Sequence, residues 1–307
     1  EQRRIVARIE ELFTRLNAGI EALKKVKTQL KRYRQSVLKS AFEGKLTAEW
    51  REAHKGELEP ASALLAKIKA ERAKSGKYKE TTPLDTSGLP ELPEGWVWTM
   101  VGHFAESMKN GIYKPPQFYA ETGVACLRMY NIEDGAIVWK DIKRMSLTHE
   151  EVREYGLSPG DVLVNRVNSR ELVGKAAVIP QGLETCVFES KNIRLRLFKA
   201  YIESKFVSNW LLISGQEYFN RNAQQTVGMA SINQEQLGAM PIPVAPFTEQ
   251  YKIVEEIERR FSVADEIEKT VEQSLKQADR LRQSILKSAF EGKLVPQDPS
   301  DEPAEKL

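Results

Sequence analysis

The chain has 307 residues, 41% of them hydrophobic, a formal net charge of +3 and two cysteines. That is enough apolar material for a packed core, and no apolar run of ~18 residues is present to cross a bilayer. The opening EQRRIVARIEELF lacks the apolar block of a secretion signal, which points to the cytoplasm. Cys126 and Cys186 sit in apolar stretches while His54, His103 and His149 are scattered, so neither a disulfide framework nor a metal-ligand spacing is offered.

Residues 1–46 read as one long helix, with Ile5, Ile9, Leu12, Leu16, Ile20, Leu23, Val26, Leu30, Tyr33 and Val37 recurring every three or four positions. The spacing predicts a coiled-coil seam, ended by a left-handed glycine cap at Gly44. The basic excess of the chain lies here, with 12 Lys and Arg against 5 Asp and Glu. Such a face is either solvated or turned to a phosphate or a partner. Residues 47–90 form a connector, with a short helix expected around PASALLAKIKAERAK and a turn-rich linker, SGKYKETTPLDTSGLPELPEG, after it.

Residues 91–248 switch to short β-prone runs, among them VACLRMYNI, GDVLVNRV, GKAAVIP, TCVFES and NIRLRLF, punctuated by Gly, Pro and Asn. One amphipathic helix, ESKFVSNWLLISGQEYFN, interrupts them, with Phe206, Trp210, Ile213 and Phe219 expected in the core. Residues 249–294 return to the helical period with Ile253, Ile257, Phe261, Ile267, Val271, Leu275, Leu281 and Ile285, and end at Gly292. An acidic tail, 295–307, is expected to be flexible.

The second helix repeats the first. Laid over one another without a gap, residues 1–46 and 249–294 are identical at 21 of 46 positions, sharpest in QSVLKSAFEGKL against QSILKSAFEGKL. One helix enters the central region and the other leaves it, so antiparallel pairing is the simplest way to bury both seams. The fold class expected is α+β: a mainly β globular domain flanked by two long helices in an antiparallel coiled coil.

The motifs of an enzyme are missing. The one Pro-Pro, at Lys114-Pro115-Pro116-Gln117, does not fit the Asn-Pro-Pro-aromatic element of a nucleic-acid methyltransferase, and the acidic DPSDEPAEK lies in the tail. No GxxxxGK[ST], GxGxxG or nucleophile elbow occurs, so no catalytic residue, metal or cofactor is assigned. The central domain does carry polar, planar and basic side chains in glycine-punctuated loops. Arginine suits guanine N7 and O6, Asn and Gln suit adenine, and Lys, Ser and Thr suit phosphates. The first candidate stretch holds Lys109, Asn110, Tyr113 and Lys114, and the second Arg166, Asn168, Ser169 and Arg170. The third holds Arg221, Asn222, Gln224, Gln225 and Thr226.

Repeat and loops together resemble the DNA-specificity subunits of type I restriction-modification systems. The resemblance rests on Leu92-Pro93-Glu94-Gly95-Trp96, on Arg128, Asn131 and Ile132, and on Gly160 to Leu163 followed by Arg166, Ser169, Gly174 and Lys175. It also rests on residues 224–254 leading into the second helix. It implies a target-recognition domain at 91–248 and spacer helices at 1–46 and 249–294. It adds Arg128, Asn131 and Lys175 to the candidate DNA contacts. The implied partners are double-stranded DNA, a methyltransferase subunit, a restriction subunit through the complex, and a second copy of the chain through the helices. With one recognition domain, the chain resembles the C-terminal half or a one-domain form, reading half of a bipartite target without catalysis of its own. The competing readings are the recognition part of a single-chain methyltransferase-nuclease and a coiled-coil adaptor with a ligand other than DNA.

Overall fold

The computed structural model describes residues 1–74, 83–222, 224–226 and 228–301. Residues 75–82 of the expected linker and 302–307 of the expected tail lie outside the described residues. The chain divides into two compact units, Glu1–Val37 with Glu258–Leu307, and Leu38–Ile257. Two long helices begin and end it, α1 (Gln2–Phe42) and α8 (Phe247–Phe290). Between them lie α2 (Ala48–Ala53), α3 (Ala61–Lys74), α4 (His149–Tyr155), α5 (Ser204–Trp210), α6 (Gln216–Asn222) and α7 (Gln234–Gly238). The helix α3 stands where PASALLAKIKAERAK predicted one, whereas the six-residue α2 was not foreseen.

In the first unit α1 and α8 run antiparallel. Lys27 pairs with Glu272 at 2.8 Å, and Arg34 with Asp265 at 2.6 Å and Glu268 at 2.8 Å. Leu30, Val37, Ala264, Val271, Ala278 and Ile285 are buried along the seam. The expected stripe needs correcting at three places: Tyr33, Ile267 and Leu281 are exposed. The seam of α8 passes instead through Ala264, Val271, Ala278 and Ile285, a strict seven-residue spacing, and then through Ala289 four residues on. Partly covered Glu268 and Arg282 fall on the alternate positions. Tyr33 and Leu281 are the same position of the repeat, and in both helices the next residue, Arg34 or Arg282, faces inward in their stead. In the described part of the tail, Asp298 and Asp301 both pair with Arg4. Gly44 (φ +69°) and Gly292 (φ +66°) end the two helices in the left-handed conformation anticipated for them.

The second unit is built on short strands: β1 (Val97–Met100), β2 (Ala105–Asn110), β3 (Tyr119–Ala120), β4 (Val124–Leu127) and β5 (Ile132–Glu133). They continue with β6 (Ala136–Ile137), β7 (Lys143–Met145), β8 (Val162–Asn165), β9 (Val167–Asn168) and β10 (Ala176–Val178). The last are β11 (Cys186–Phe188), β12 (Asn192–Leu197), β13 (Gln224–Thr226), β14 (Met229–Ser231) and β15 (Pro241–Val244). One sheet has the order β10-β8-β12-β2 and another β11-β4-β7-β3, with β11 and β4 parallel. Ala125, Leu127, Ile132, Leu163, Ala177, Ile179, Cys186 and Phe188 form a core between them. Smaller ladders join β13-β14-β9, β5-β6 and β1-β15. The predicted amphipathic helix is present as α5 and α6 joined by a π-helical turn at Leu211–Gly215. Phe206 and Phe219 are buried on it as expected, while Trp210 and Ile213 are partly covered.

The end of α1 roots in this unit. Phe42, 5% exposed, packs on Phe206 with ring centroids 5.0 Å apart and on Trp210 at 5.1 Å. Its repeat counterpart Phe290, inside the same SAFEGKL sequence, is 91% exposed. One sequence thus occupies two environments, which makes each copy a control for the other. Phe42→Ala is expected to cost about 3–5 kcal/mol of unfolding free energy, the range for deleting a buried aromatic. Phe290→Ala should stay within about 0.5 kcal/mol. Urea titrations of the two variants test this, and equal losses would contradict the packing described. Cys126 and Cys186 are free and buried, and burial pushes their thiols up to about 12 and about 11. Neither is expected to react with a disulfide reagent at about pH 8 until the chain unfolds, because the attacking species is the thiolate.

Candidate nucleic-acid interface

Strand register collects the candidate loops. Because β2 and β8 are both antiparallel to β12, with Asn110 opposite Ile193 and Asn165 opposite Asn192, the ends of β2 and β8 meet the start of β12. The parallel pair β4 and β11 finishes beside them, with Phe188 opposite Leu127. A bridge from Ile112 to Glu189 closes the group. Gly111 is what allows this approach: a Cβ there would lie 2.2 Å from the Glu189 carbonyl oxygen. The third stretch arrives through β14, whose Ala230 pairs with Asn168 on one side and with Gln225 on the other. Four segments far apart in sequence therefore share one end of the unit.

Beneath this end lies a chain of buried amides. Asn168 Nδ2 donates to Asn165 Oδ1 at 2.8 Å, and Asn165 Nδ2 donates to Asn192 Oδ1 at 3.2 Å and to the Lys191 carbonyl at 3.0 Å. Asn168 Oδ1 accepts from the Ser169 amide at 2.9 Å. Arg166 adds a further tie, with Nε donating to the Ile232 carbonyl at 3.2 Å and Nη1 to the Ser190 carbonyl at 3.3 Å. Asn131 plays the same part in the next loop. Its Oδ1 accepts from the Arg128 amide at 2.9 Å, and its Nδ2 donates to the carbonyls of Val138 at 3.0 Å and Lys140 at 2.9 Å.

The sequence-selected residues thus fall into groups. Tyr113, Asn110, Arg170, Arg221 and Asn222 are exposed, with Tyr113 at 77%. The Asn110 and Gln234 amides meet at 3.1 Å, Arg221 pairs with Glu217, and Asn222 donates to the Tyr218 carbonyl at 2.7 Å. Arg128, Arg166, Ser169 and Lys175 are partly covered. Asn131 and Asn168 are buried with their amides used inside the protein, so both are better described as supports of the loops than as groups that reach a ligand. Lys109 and Lys114 are drawn toward α4, pairing with Glu154 and Glu151. Lys114, and after it the Thr148 amide, hold the Glu151 carboxyl below its usual range. Gln224, Gln225 and Thr226 lie on β13, and their side chains are outside what is described. At the same end stand Tyr130 and Lys191, both exposed, which polar-loop chemistry alone did not single out.

A family model described as the type I restriction modification DNA specificity domain matches residues 93–277. The chain belongs to that family. Its specificity-domain relatives include the type I restriction enzyme EcoKI specificity subunit of Escherichia coli strain K12. It is 28% identical over 311 residues, covering 99% of this chain and 58% of the relative. The StySPI specificity subunit of Salmonella potsdam is 28% identical over 306 residues, covering 99% of this chain and 58% of the relative. The chain therefore spans somewhat under two thirds of these specificity subunits. Two solved chains share the fold, each 19% identical over 95% of this chain. One comes from work on complex assembly and conformational transition of the type I R-M system, with a TM-score of 0.65 and 60% of that chain covered. The other is the HsdS subunit from Thermoanaerobacter tengcongensis, with a TM-score of 0.52 and 58% covered.

The support role of Asn168 has a measurable consequence. Asn168→Ala leaves Asn165 Oδ1 without its donor and the Ser169 amide without its acceptor. The expected loss is about 1–3 kcal/mol of stability. Arg170→Ala, at an exposed position, should change stability by no more than about 0.5 kcal/mol. Thermal or urea melts distinguish the two, and a silent Asn168→Ala would refute the support role.

Proposed function

We propose that this chain is a sequence-specific DNA recognition subunit of a type I restriction-modification complex, reading one half of a bipartite target. The observation that carries the reading is the gathering of the 109–114, 128–131, 166–175 and 221–226 segments at one end of the second unit. The family match adds to it. Residues 91–248 act as the target-recognition domain, 1–46 and 249–294 as spacer helices, and 295–307 as a tail. Exposed Arg170, Arg221, Asn222, Tyr113 and Asn110, with Arg128, Arg166, Ser169, Lys175, Gln224, Gln225 and Thr226 around them, are the groups that meet bases and phosphates.

Catalysis belongs to the partners in this reading, adenine methylation to a methyltransferase subunit and ATP-dependent cleavage to a restriction subunit. The helices dock them. Val263 and Ile267, exposed on the outer face of α8, and Phe290 at its end supply apolar surface for such contacts. A homodimer that restores a second reader is a further arrangement we infer. Since both seams close on each other within the chain, such a dimer uses the outer positions. Among the described residues no helix is long and apolar enough to cross a membrane, and the cytoplasm, where DNA is met, is the compartment proposed. The relatives named above are specificity subunits, which does not favour a single-chain methyltransferase-nuclease.

The test is selection from a randomised duplex pool by the full chain together with its methyltransferase subunit, at fixed salt because phosphate contacts alone give salt-dependent affinity. A short enriched motif, single or as an inverted pair at one spacing, is the expected result. Binding of the methyltransferase without enrichment of any sequence would reduce the chain to a docking scaffold.

A further inference from the structure

Most polar groups at the loop end are tied to one another, but Arg128 is not. Among the described residues its Nη2 makes one long contact, 3.4 Å to the Asp141 carbonyl, and its buried Nε has no partner. The guanidinium lies over the ring of Tyr130, 5.4 Å from the centroid, and Tyr130 is 67% exposed. This exposure does not come from a loose loop. The turn Met129–Asn131 is pinned at both ends, by the Met129 amide donating to Glu189 Oε1 at 2.7 Å and by the three bonds of the Asn131 side chain. Glu189 is held in turn, its amide donating to the Leu127 carbonyl at 3.0 Å. The protein therefore fixes a large aromatic ring in water and stacks an under-bonded guanidinium on it.

The chemistry that completes such a pair is a flat, acceptor-rich surface. A guanine edge offers N7 and O6 to an arginine fork, and neighbouring base or sugar surface covers the ring. We propose that Arg128 and Tyr130 form a guanine-reading element, with Arg128 donating to the base edge and Tyr130 as the platform that fixes its orientation. This deepens the DNA-recognition reading and rests on it. Tyr130 is a positioning and contact residue for specificity, and the Glu189 and Asn131 clamp keeps it in place before DNA arrives.

The experiment repeats the duplex selection with the full chain and its methyltransferase subunit for the wild type, Tyr130→Ala, Tyr130→Phe and Arg128→Lys. Tyr130→Ala is expected to weaken binding of the selected duplex about tenfold and to erase the preference at one guanine. Its affinity for unselected DNA should fall by less than its affinity for the selected duplex, so that the ratio of the two drops, and its melting temperature should stay unchanged. Tyr130→Phe keeps the ring and should keep the preference. Arg128→Lys keeps the charge but not the fork, and should lose the same guanine with a larger loss on the selected duplex than on unselected DNA. A wild type that selects a motif while Tyr130→Ala selects the same motif with equal affinity overturns the element alone. Weakened methyltransferase binding by Tyr130→Ala with an unchanged motif also overturns it, as a protein contact. A wild type that selects no motif overturns the recognition reading and this element together.

Discussion

A single buried carboxylate organises the second unit. Glu249, fully buried in the first turn of α8, accepts from Thr47 Oγ1 at 2.7 Å, from Arg51 Nη1 at 2.7 Å and from Trp96 Nε1 at 2.9 Å. A charge taken out of water survives only if it is paired and hydrogen-bonded, and here three donors supply both conditions. The N-terminal turn of a long helix also favours the negative charge. Its donors come from the 47–51 stretch and from the residue before β1, so together with α8 one side chain joins three stretches that are remote in sequence. The neighbouring Gln250 continues the join, donating to the Ala245 carbonyl at 2.9 Å and accepting from the Glu203 amide at 2.9 Å. The β1-β15 ladder, with Val97 opposite Val244, closes beside it. The loop end described above depends on strands that this junction fixes at their other margin.

The first unit obeys a different constraint, that of its repeat. Residue 17 corresponds to 265 and residue 34 to 282, so the Arg34–Asp265 pair and the Arg282–Asn17 hydrogen bond are one interaction seen twice. An antiparallel pair of equivalent helices has this property only when its register is symmetric, and a slip of one heptad would break both contacts at once. The contact differs between the copies, an ion pair in one and a hydrogen bond from arginine to a neutral amide in the other, because Asn17 stands where the second copy has Asp265. The rod is thus symmetric in its seam and asymmetric in the charge of this contact.

The repeat, the two long helices and the glycine caps were legible in the sequence because each is a local or periodic signal. The misplaced seam residues show where periodicity fails. Hydropathy ranks Tyr33 and Leu281 above Arg34 and Arg282, yet an arginine covers a seam with its aliphatic stem and pairs its head across the helix, while the aromatic or leucine turns outward. The loops were legible as loops but not in their inner and outer sides. Asn131 and Asn168 have the donor and acceptor pattern that reads adenine, and the same pattern satisfies buried carbonyls. Only the register of two- to six-residue strands decides between those uses, and strands so short carry too few alternating positions to reveal it. Nothing in the sequence shows that a pinned turn lifts Tyr130 into solvent.

The loop end combines satisfied and unsatisfied polar groups, and its charge follows the same division. The central residues carry no basic excess, which is unusual for a surface expected to meet a polyanion. Several of its cations are already neutralised: Lys109 by Glu154, Lys114 by Glu151 and Arg144 by Glu184. Those that remain, such as Arg128, Arg170 and Lys191, stand at the end where the buried amides hold the backbone still. On the proposed DNA-recognition reading, such a surface relies less on attraction to phosphates than on fit to a base edge, because its fixed donors cannot reorganise around the wrong one. On the DNA-recognition reading proposed above, low net charge and a rigid polar scaffold are two aspects of one arrangement, in which a few donors unpaired among the described residues, and not bulk positive charge, carry discrimination.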